Sequence, residues 1–216
     1  MTLSIRFTTL GMAATNAYLI GDTETNEAVL IDPVDQAEAL KAMADEAGWT
    51  IKLIIATHAH FDHIMASKAL KELTGAPFYI HADALPMLSG LPDQGMRFFN
   101  RLFPEAAAPD RLLTSERETI TLGAIQLETL FTPGHAPGHI ALYMSSHGVV
   151  FSGDALFAGS IGRTDLPGGD YDLLMKSIHE QLLTLPDETV VLPGHGGQTT
   201  IGRERATNPY ILPHHE

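Results

Sequence analysis

The chain has 216 residues, 44% of them apolar and 18% charged, with a formal net charge of −13 and no cysteine. That length supports one substantial core, burying roughly 70% of the unfolded chain's surface, and the composition is that of a folded protein rather than a disordered one. The negative charge argues against nucleic acid and anionic membranes as partners, the lack of cysteine excludes disulfides and thiolate metal ligands, and no apolar run approaches the roughly 20 residues that cross a bilayer.

The first twenty residues lack the basic start, apolar block and cleavage site of a signal peptide, so a cytoplasmic location is expected. Residues 3–9, 16–21 and 28–32 alternate or run apolar and stop at turn signals such as Gly21-Asp22 and Asp32-Pro33, which predicts strands. Residues 35–47 place Ala37, Leu40, Ala44 and Ala47 at helical spacing and end at Gly48. Residues 52–56 read as a buried strand, and a helix of about 12 residues is expected to follow and stop at Gly75. Between about 84 and 116 the periodicity dissolves into Pro, Met, Phe and Arg; this segment reads as short helical pieces forming a surface flap, either an irregular packed excursion or a substrate lid. Residues 118–131 predict a hairpin turning at Gly123, and residues 140–144 and 148–152 a second one turning at His147-Gly148. An amphipathic helix over 171–183 and a last strand over Val190–Leu192 complete the pattern. With no linker, repeat or low-complexity stretch, residues 1–216 read as one domain, two sheets with helices outside.

The chemistry concentrates after the strand at 52–56, in Thr57-His58-Ala59-His60-Phe61-Asp62-His63. Generic folding physics does not ask for three histidines and a carboxylate in so short a run; two metal ions sharing a pocket would. Residues two apart in an extended segment point the same way, so His58 and His60 can converge on one ion. Asp62 and His63, where the chain turns into a helix, can reach a second. Each ion needs a further histidine, for which His135 (in Thr132-Pro133-Gly134-His135) and His195 (in Pro193-Gly194-His195-Gly196) are the candidates, and Asp154 (in Ser152-Gly153-Asp154) can bridge through its two oxygens. Imidazole and carboxylate without thiolate suit zinc, iron or manganese. Two such ions would hold a bridging hydroxide, lower its pKa and clamp an electrophile. Of the other histidines, His139 reads either as a partner of a ligand or as structural, and His81 as packing or capping. His147, His179, His214 and His215 read as unrelated to the chemistry.

This HxHxDH run, followed by distant His, Asp and His, resembles the signature of the metallo-β-lactamase superfamily. The resemblance implies an α/β fold, an αββα four-layer sandwich with metals at one edge of the sheets. It assigns His58, His60 and His135 to one ion, Asp62, His63 and His195 to the other, and Asp154 to the bridge. Within the superfamily, residues 132–139, 151–157, Gly162-Arg163-Thr164-Asp165 and Gly169-Asp170 look like the glyoxalase II (hydroxyacylglutathione hydrolase) group, and residues 199–209 look like its compact relatives. What this implies is hydrolysis of an S-acylglutathione such as S-lactoylglutathione, two divalent ions per chain with zinc first, and catalytic roles for Asp62 and Asp154. Arg163 falls where the family has a basic contact to glutathione; its alternative is a salt bridge with Asp165 or Asp170.

Full-length glyoxalase II adds a helical C-terminal domain with further basic contacts. The chain after His195 is too short for it, so Arg97, Arg101, Arg203 and Arg205 are the remaining basic candidates. A mononuclear iron persulfide dioxygenase, with iron on His58, His135 and Asp154, shares the same segments and is the alternative reading. A lactonase or a non-catalytic metal-binding protein is weaker, because no segment points to the first and no ligand position is missing for the second.

Overall fold

Strands β1 (Leu3–Leu10), β2 (Thr15–Asp22) and β3 (Glu27–Ile31) open the chain, and β2 and β3 are apolar on both faces, as strands covered on both sides must be. In the computed structural model, which describes residues 3–212, they join β4 (Thr50–Ile55), β5 (Phe78–His81) and β6 (Arg111–Leu113) in a six-stranded sheet of order β1-β2-β3-β4-β5-β6. The first three pair antiparallel, and β3 through β6 run parallel.

The second sheet begins with β7 (Thr119–Leu122), β8 (Ile125–Phe131), β9 (Ile140–Met144) and β10 (Val149–Gly153). A small two-stranded ribbon, β11 (Leu156–Phe157) and β12 (Ser160–Ile161), follows. Strands β13 (Val190–Pro193) and β14 (Thr199–Thr200) then complete the order β14-β13-β10-β9-β8-β7.

Helices α1 (Ala37–Ala47), α2 (Phe61–Ile64), α3 (Ser67–Thr74), α4 (Leu85–Ser89) and α5 (Leu91–Phe99) lie on the side of the first sheet. Helices α6 (Tyr171–Ser177), continued by a π-helical turn over Ile178–Leu182, and α7 (Ile201–Thr207) cover the second.

Period-two alternation sorts the core into three apolar layers. Tyr18, Ile20, Val29, Ile31, Leu53 and Ile55 turn inward against Leu127, Ile140, Leu142 and Phe151 of the second sheet. Ala17, Leu19, Leu30 and Ile54 face the other way, onto Leu40 and Leu70 of the helices. Leu130, Val150 and Val191 meet Leu174, Ile178, Leu182 and Ile201. The fold is thus the expected αββα sandwich. No described helix is long and apolar enough to cross a membrane.

Some elements differ from the sequence reading. The single helix expected before Gly75 is two, broken at Met65-Ala66, where the Ala66 N–H bonds the Pro33 carbonyl (3.0 Å) instead of continuing the helical ladder. The segment over 84–116 is less irregular than its composition suggests. Leu88, Leu91, Phe103 and Ala107 are buried in the first sheet's helical layer, and Arg111–Leu113 adds the last strand of that sheet. Strand β14 and helix α7 had no periodic signal, since each is too short to show one.

Candidate metal centre

The C-terminal ends of β4, β8, β10 and β13 meet at one edge of the sandwich, and the residues just beyond them converge. Strand β4 delivers Thr57, His58 and His60; α2 turns Asp62 and His63 inward; the loop after β8 brings His135; Asp154 follows β10; and His195 follows β13. The start of β2 ties the edge together. Asn16 donates three bonds at the β13 end, its N–H to the Gly194 carbonyl (2.8 Å) and its Nδ2 to the carbonyls of Pro193 and Gly196 (3.0 Å each).

All seven expected residues come together. His58 Nε2 lies 3.0 Å from His60 Nδ1, which lies 2.8 Å from His135 Nε2. His195 Nε2 is 3.1 Å from Asp62 Oδ2, and His63 Nε2 is 3.6 Å from the same oxygen. Asp154 stands between the two groups: Oδ2 is 3.5 Å from His135 and 3.4 Å from His195, and Oδ1 is 3.4 Å from His63. His58-His60-His135 and Asp62-His63-His195 are each spaced to hold a metal ion, and His58, His63 and Asp154 are close enough to form a third such group.

The donor chemistry fits a metal. His63 Nε2 and Asp154 Oδ1 are buried without a hydrogen-bond partner, a costly state for polar atoms that an ion would relieve. Three imidazole nitrogens also face one another at hydrogen-bond distance, and neutral rings cannot all supply protons there. The outer ring nitrogens are engaged in a way that leaves the inner ones free. His63 Nδ1 donates to Asp32 Oδ2 (2.8 Å), and His135 Nδ1 donates to the Arg163 carbonyl (2.8 Å). Gly194 is required by space: a Cβ there would lie 2.2 Å from Asp154 Oδ1.

The electrostatics divide the site. Burial, with neighbouring imidazoles adding to it, pushes His58 far down, and His60 is lowered to about 3 by burial and His135. Burial also lowers His135. On the other side, burial opposes charge but the carboxylates outweigh it. Asp154 and Asp62 lift His195 to about 10, and Asp154, Asp62 and Asp32 raise His63 well above the imidazole range. Burial would raise Asp62 and Asp154, yet His63 and His195 hold Asp62 down at about 2 and keep Asp154 far below the usual carboxylate range.

Sequence reasoning missed three contributors. Asp32, 2% exposed at the end of β3, accepts from Thr57 N (2.7 Å), Thr57 Oγ1 (2.9 Å) and His63. Its only signal was Asp-Pro after a strand, which reads as a turn. Thr15 Oγ1 donates to Asp62 Oδ2 (2.8 Å). Gln94, on α5, accepts from Phe61 N (3.0 Å) and donates to the carbonyls of Ala59 and Met87 (3.0 Å each), so one amide side chain braces the backbone on both sides of His60.

His139 is buried beside the site. Its Nδ1 donates to Thr132 Oγ1 (2.8 Å) and its Nε2 accepts from Asp154 N (3.0 Å), so it fixes the backbone of Asp154. His81 both caps, accepting from Asp83 N, and packs, stacked on Phe131 at 4.6 Å. His147 sits in a turn and His179 is exposed on its helix; His214 and His215 lie outside the described residues.

Above the cluster opens a pocket of about 310 Å³, bordered by Phe98, Phe99, Leu166 and Arg163. The Arg163 guanidinium makes two 2.7 Å bonds to Asp165 and is exposed, so the salt-bridge alternative holds for Asp165. Asp170 instead caps α6 through Leu173 N (2.9 Å). Arg205 pairs with Asp187 and bonds the Leu183 and Leu185 carbonyls, on the helical layer of the second sheet.

Comparison with known proteins agrees with this architecture. Residues 10–195 match the family described as the metallo-beta-lactamase superfamily. The chain is 40% identical to hydroxyacylglutathione hydrolase GloC of Haemophilus influenzae over 91% of this chain and 92% of that one. It is 33% identical to the human mitochondrial persulfide dioxygenase ETHE1 over 93% of this chain and 72% of that one. Among solved structures, TTHA1623 in a di-iron-bound form is 43% identical at a TM-score of 0.85, covering 95% of this chain and 99% of that one. The BLEG-1 B3 metallo-beta-lactamase is 40% identical at a TM-score of 0.91, covering 97% and 100%. Its motif, its αββα fold and these relatives together place the chain in the metallo-β-lactamase superfamily of metallo-hydrolases.

Proposed function

We propose that the protein is a metal-dependent hydrolase of S-acylglutathione thioesters, converting S-lactoylglutathione to lactate and glutathione. The observation that carries this reading is a pair of three-residue donor sets flanking one carboxylate, Asp154, beneath a pocket that Arg163 borders. The 40% identity to GloC supports a thioester of glutathione as the substrate. His58, His60 and His135 would hold one divalent ion and Asp62, His63 and His195 the second, with Asp154 within reach of both groups. Zinc is the first assignment, and the di-iron form of TTHA1623 keeps iron beside it.

When bound, the ions supply a hydroxide nucleophile at neutral pH and Lewis-acid polarisation of the thioester carbonyl. The protein's own part is placement. Asp62, its Oδ2 held by Thr15 and His195, is set to orient the attacking group. Asp32 and the Arg163 carbonyl fix the tautomers of His63 and His135. Arg163 stands at the pocket rim, and its exposed pair with Asp165 would have to open for the guanidinium to take a glutathione carboxylate.

A second reading, an iron-dependent persulfide dioxygenase using His58, His135 and Asp154, draws support from the identity to ETHE1. Hydrolysis of S-lactoylglutathione by the purified protein, as isolated and after reconstitution with zinc, iron or manganese, tests the first. Chelator-sensitive turnover is expected. No turnover with any metal, together with oxygen uptake on glutathione persulfide, would transfer the assignment to the second.

A further inference from the structure

A second cavity, of about 440 Å³, adjoins the first and shares His60, Gln94, Phe98 and Leu166 with it. Its walls are apolar: Pro86, Met87, Phe98, Pro137, Leu166 and Pro167. A Cβ on Gly138 would meet Ala84 N at 2.5 Å, so the loop carrying Pro137 rests directly on the residue that leads into α4. The volume falls in the range of roughly 300–1,000 Å³ that encloses drug-sized ligands, and it far exceeds a three-carbon lactoyl group.

The polar groups say which part of a substrate fits. Both amide hydrogens of Gln94 are committed, to Ala59 and Met87, and its oxygen accepts from Phe61, so it has no N–H left for a ligand. The remaining charges on the groove are Asp83, Asp93 and Arg97, two carboxylates against one guanidinium. That balance repels the carboxylates of glutathione, and the apolar walls leave its peptide groups without partners. Arg163, the basic group of the first pocket, does not border this groove. We infer that the groove of Met87, Phe98, Pro137 and Leu166 is the acyl subsite, built for an aliphatic or aromatic acyl chain longer than lactoyl, with the glutathione arm on the Arg163 side. The inference rests on the thioester reading for its substrate, but the groove can be tested without turnover.

The test is calorimetric binding of straight-chain carboxylates, from acetate through butanoate and hexanoate to octanoate, to the zinc-loaded full chain. Burial of each methylene in an apolar groove predicts affinity rising by about fourfold per added carbon. Met87→Trp, which fills the groove, should flatten the series, and Met87→Ala should preserve it. A flat or falling series on the wild-type protein overturns the inference, as does a rise that Met87→Trp leaves unchanged. Hydrolysis of S-hexanoylglutathione and S-lactoylglutathione is read separately. If neither thioester is cleaved while the carboxylate series rises, the groove stands and the thioesterase reading falls. If S-lactoylglutathione is cleaved while the series is flat, the reverse holds.

Discussion

Replacing Asp32 by asparagine should weaken the binding of one metal ion and spare the other. Asp32 accepts three hydrogen bonds, from Thr57 N, Thr57 Oγ1 and His63 Nδ1, and is almost wholly buried. Asparagine tolerates its left-handed backbone, φ 58°, and can keep the oxygen facing Thr57 N. Its amide NH2 then faces His63 Nδ1, which must become an acceptor. The ring's last proton must then stay on Nε2, the atom aimed at Asp62 and Asp154, where it blocks the lone pair an ion would take. Losing such an outer partner typically costs 10–100-fold in metal affinity, about 1.4–2.7 kcal/mol. Competition with a chromophoric chelator should therefore show one zinc bound 10–100-fold more weakly, with the ion on His58, His60 and His135 changed by less than about threefold. Asp32→Ala should do more, since it orphans the buried Thr57 N–H, and lower unfolding free energy by about 3 kcal/mol. Wild-type affinity for both ions in the asparagine variant would refute the tautomer argument.

Three further outcomes follow from the site. His58→Ala removes a buried donor common to two of the candidate ligand groups, and should abolish thioester turnover with partial loss of metal, measured by elemental analysis alongside kinetics. Arg163→Ala should raise KM for glutathione thioesters more than for a small neutral thioester, with stability nearly unchanged because its Asp165 pair is exposed; equal effects on both substrates would point to the loop that holds His135 instead. Metal uptake should be proton-coupled on one side only. In the metal-free protein His63 and His195 are held protonated by Asp154 and Asp62, whereas burial keeps His58, His60 and His135 neutral. Filling the Asp62-His63-His195 group must expel protons, so its affinity rises with pH until His195 has titrated near pH 10, and the other group's affinity stays nearly flat from about pH 7 to 9. Calorimetry in buffers of different ionisation enthalpy reads the protons released, and equal release at both sites would contradict the division.

The parts of this molecule legible in sequence are those with short-range signatures. The HxHxDH run and the three distant ligands stood out because imidazoles and carboxylates at strand ends have no bland reading as a set; the order of strands and helices pointed to two sheets with helices outside, and the resemblance supplied the αββα layering. Asp32 and Gln94 were illegible for a common reason. Each acts through space on a backbone or ring that lies 25 or more positions away along the chain, and nothing adjacent to either announces the partner. The segment over 84–116 was legible as short helical pieces, present as α4 and α5, but the extent of its packing was not, because Leu88, Leu91 and Phe103 are spread thinly among Pro, Gly and Arg and share their burial only when the first sheet is assembled.

The amide of Gln94 has a mechanical consequence. It spans the carbonyl before His60 and the N–H after it while also gripping α4 at Met87. The wall of the acyl groove and the ligand-bearing loop are therefore one rigid joint rather than a cover over a base. A displacement of α5 is transmitted to the imidazole of His60 through two bonds of 3.0 Å. Natural variation that reshapes the groove from α5 must then keep this joint in register, and Pro137 is held between His135 and His139, whereas Leu166 lies outside both of these constraints. Substrate range should drift through Leu166 faster than through α5.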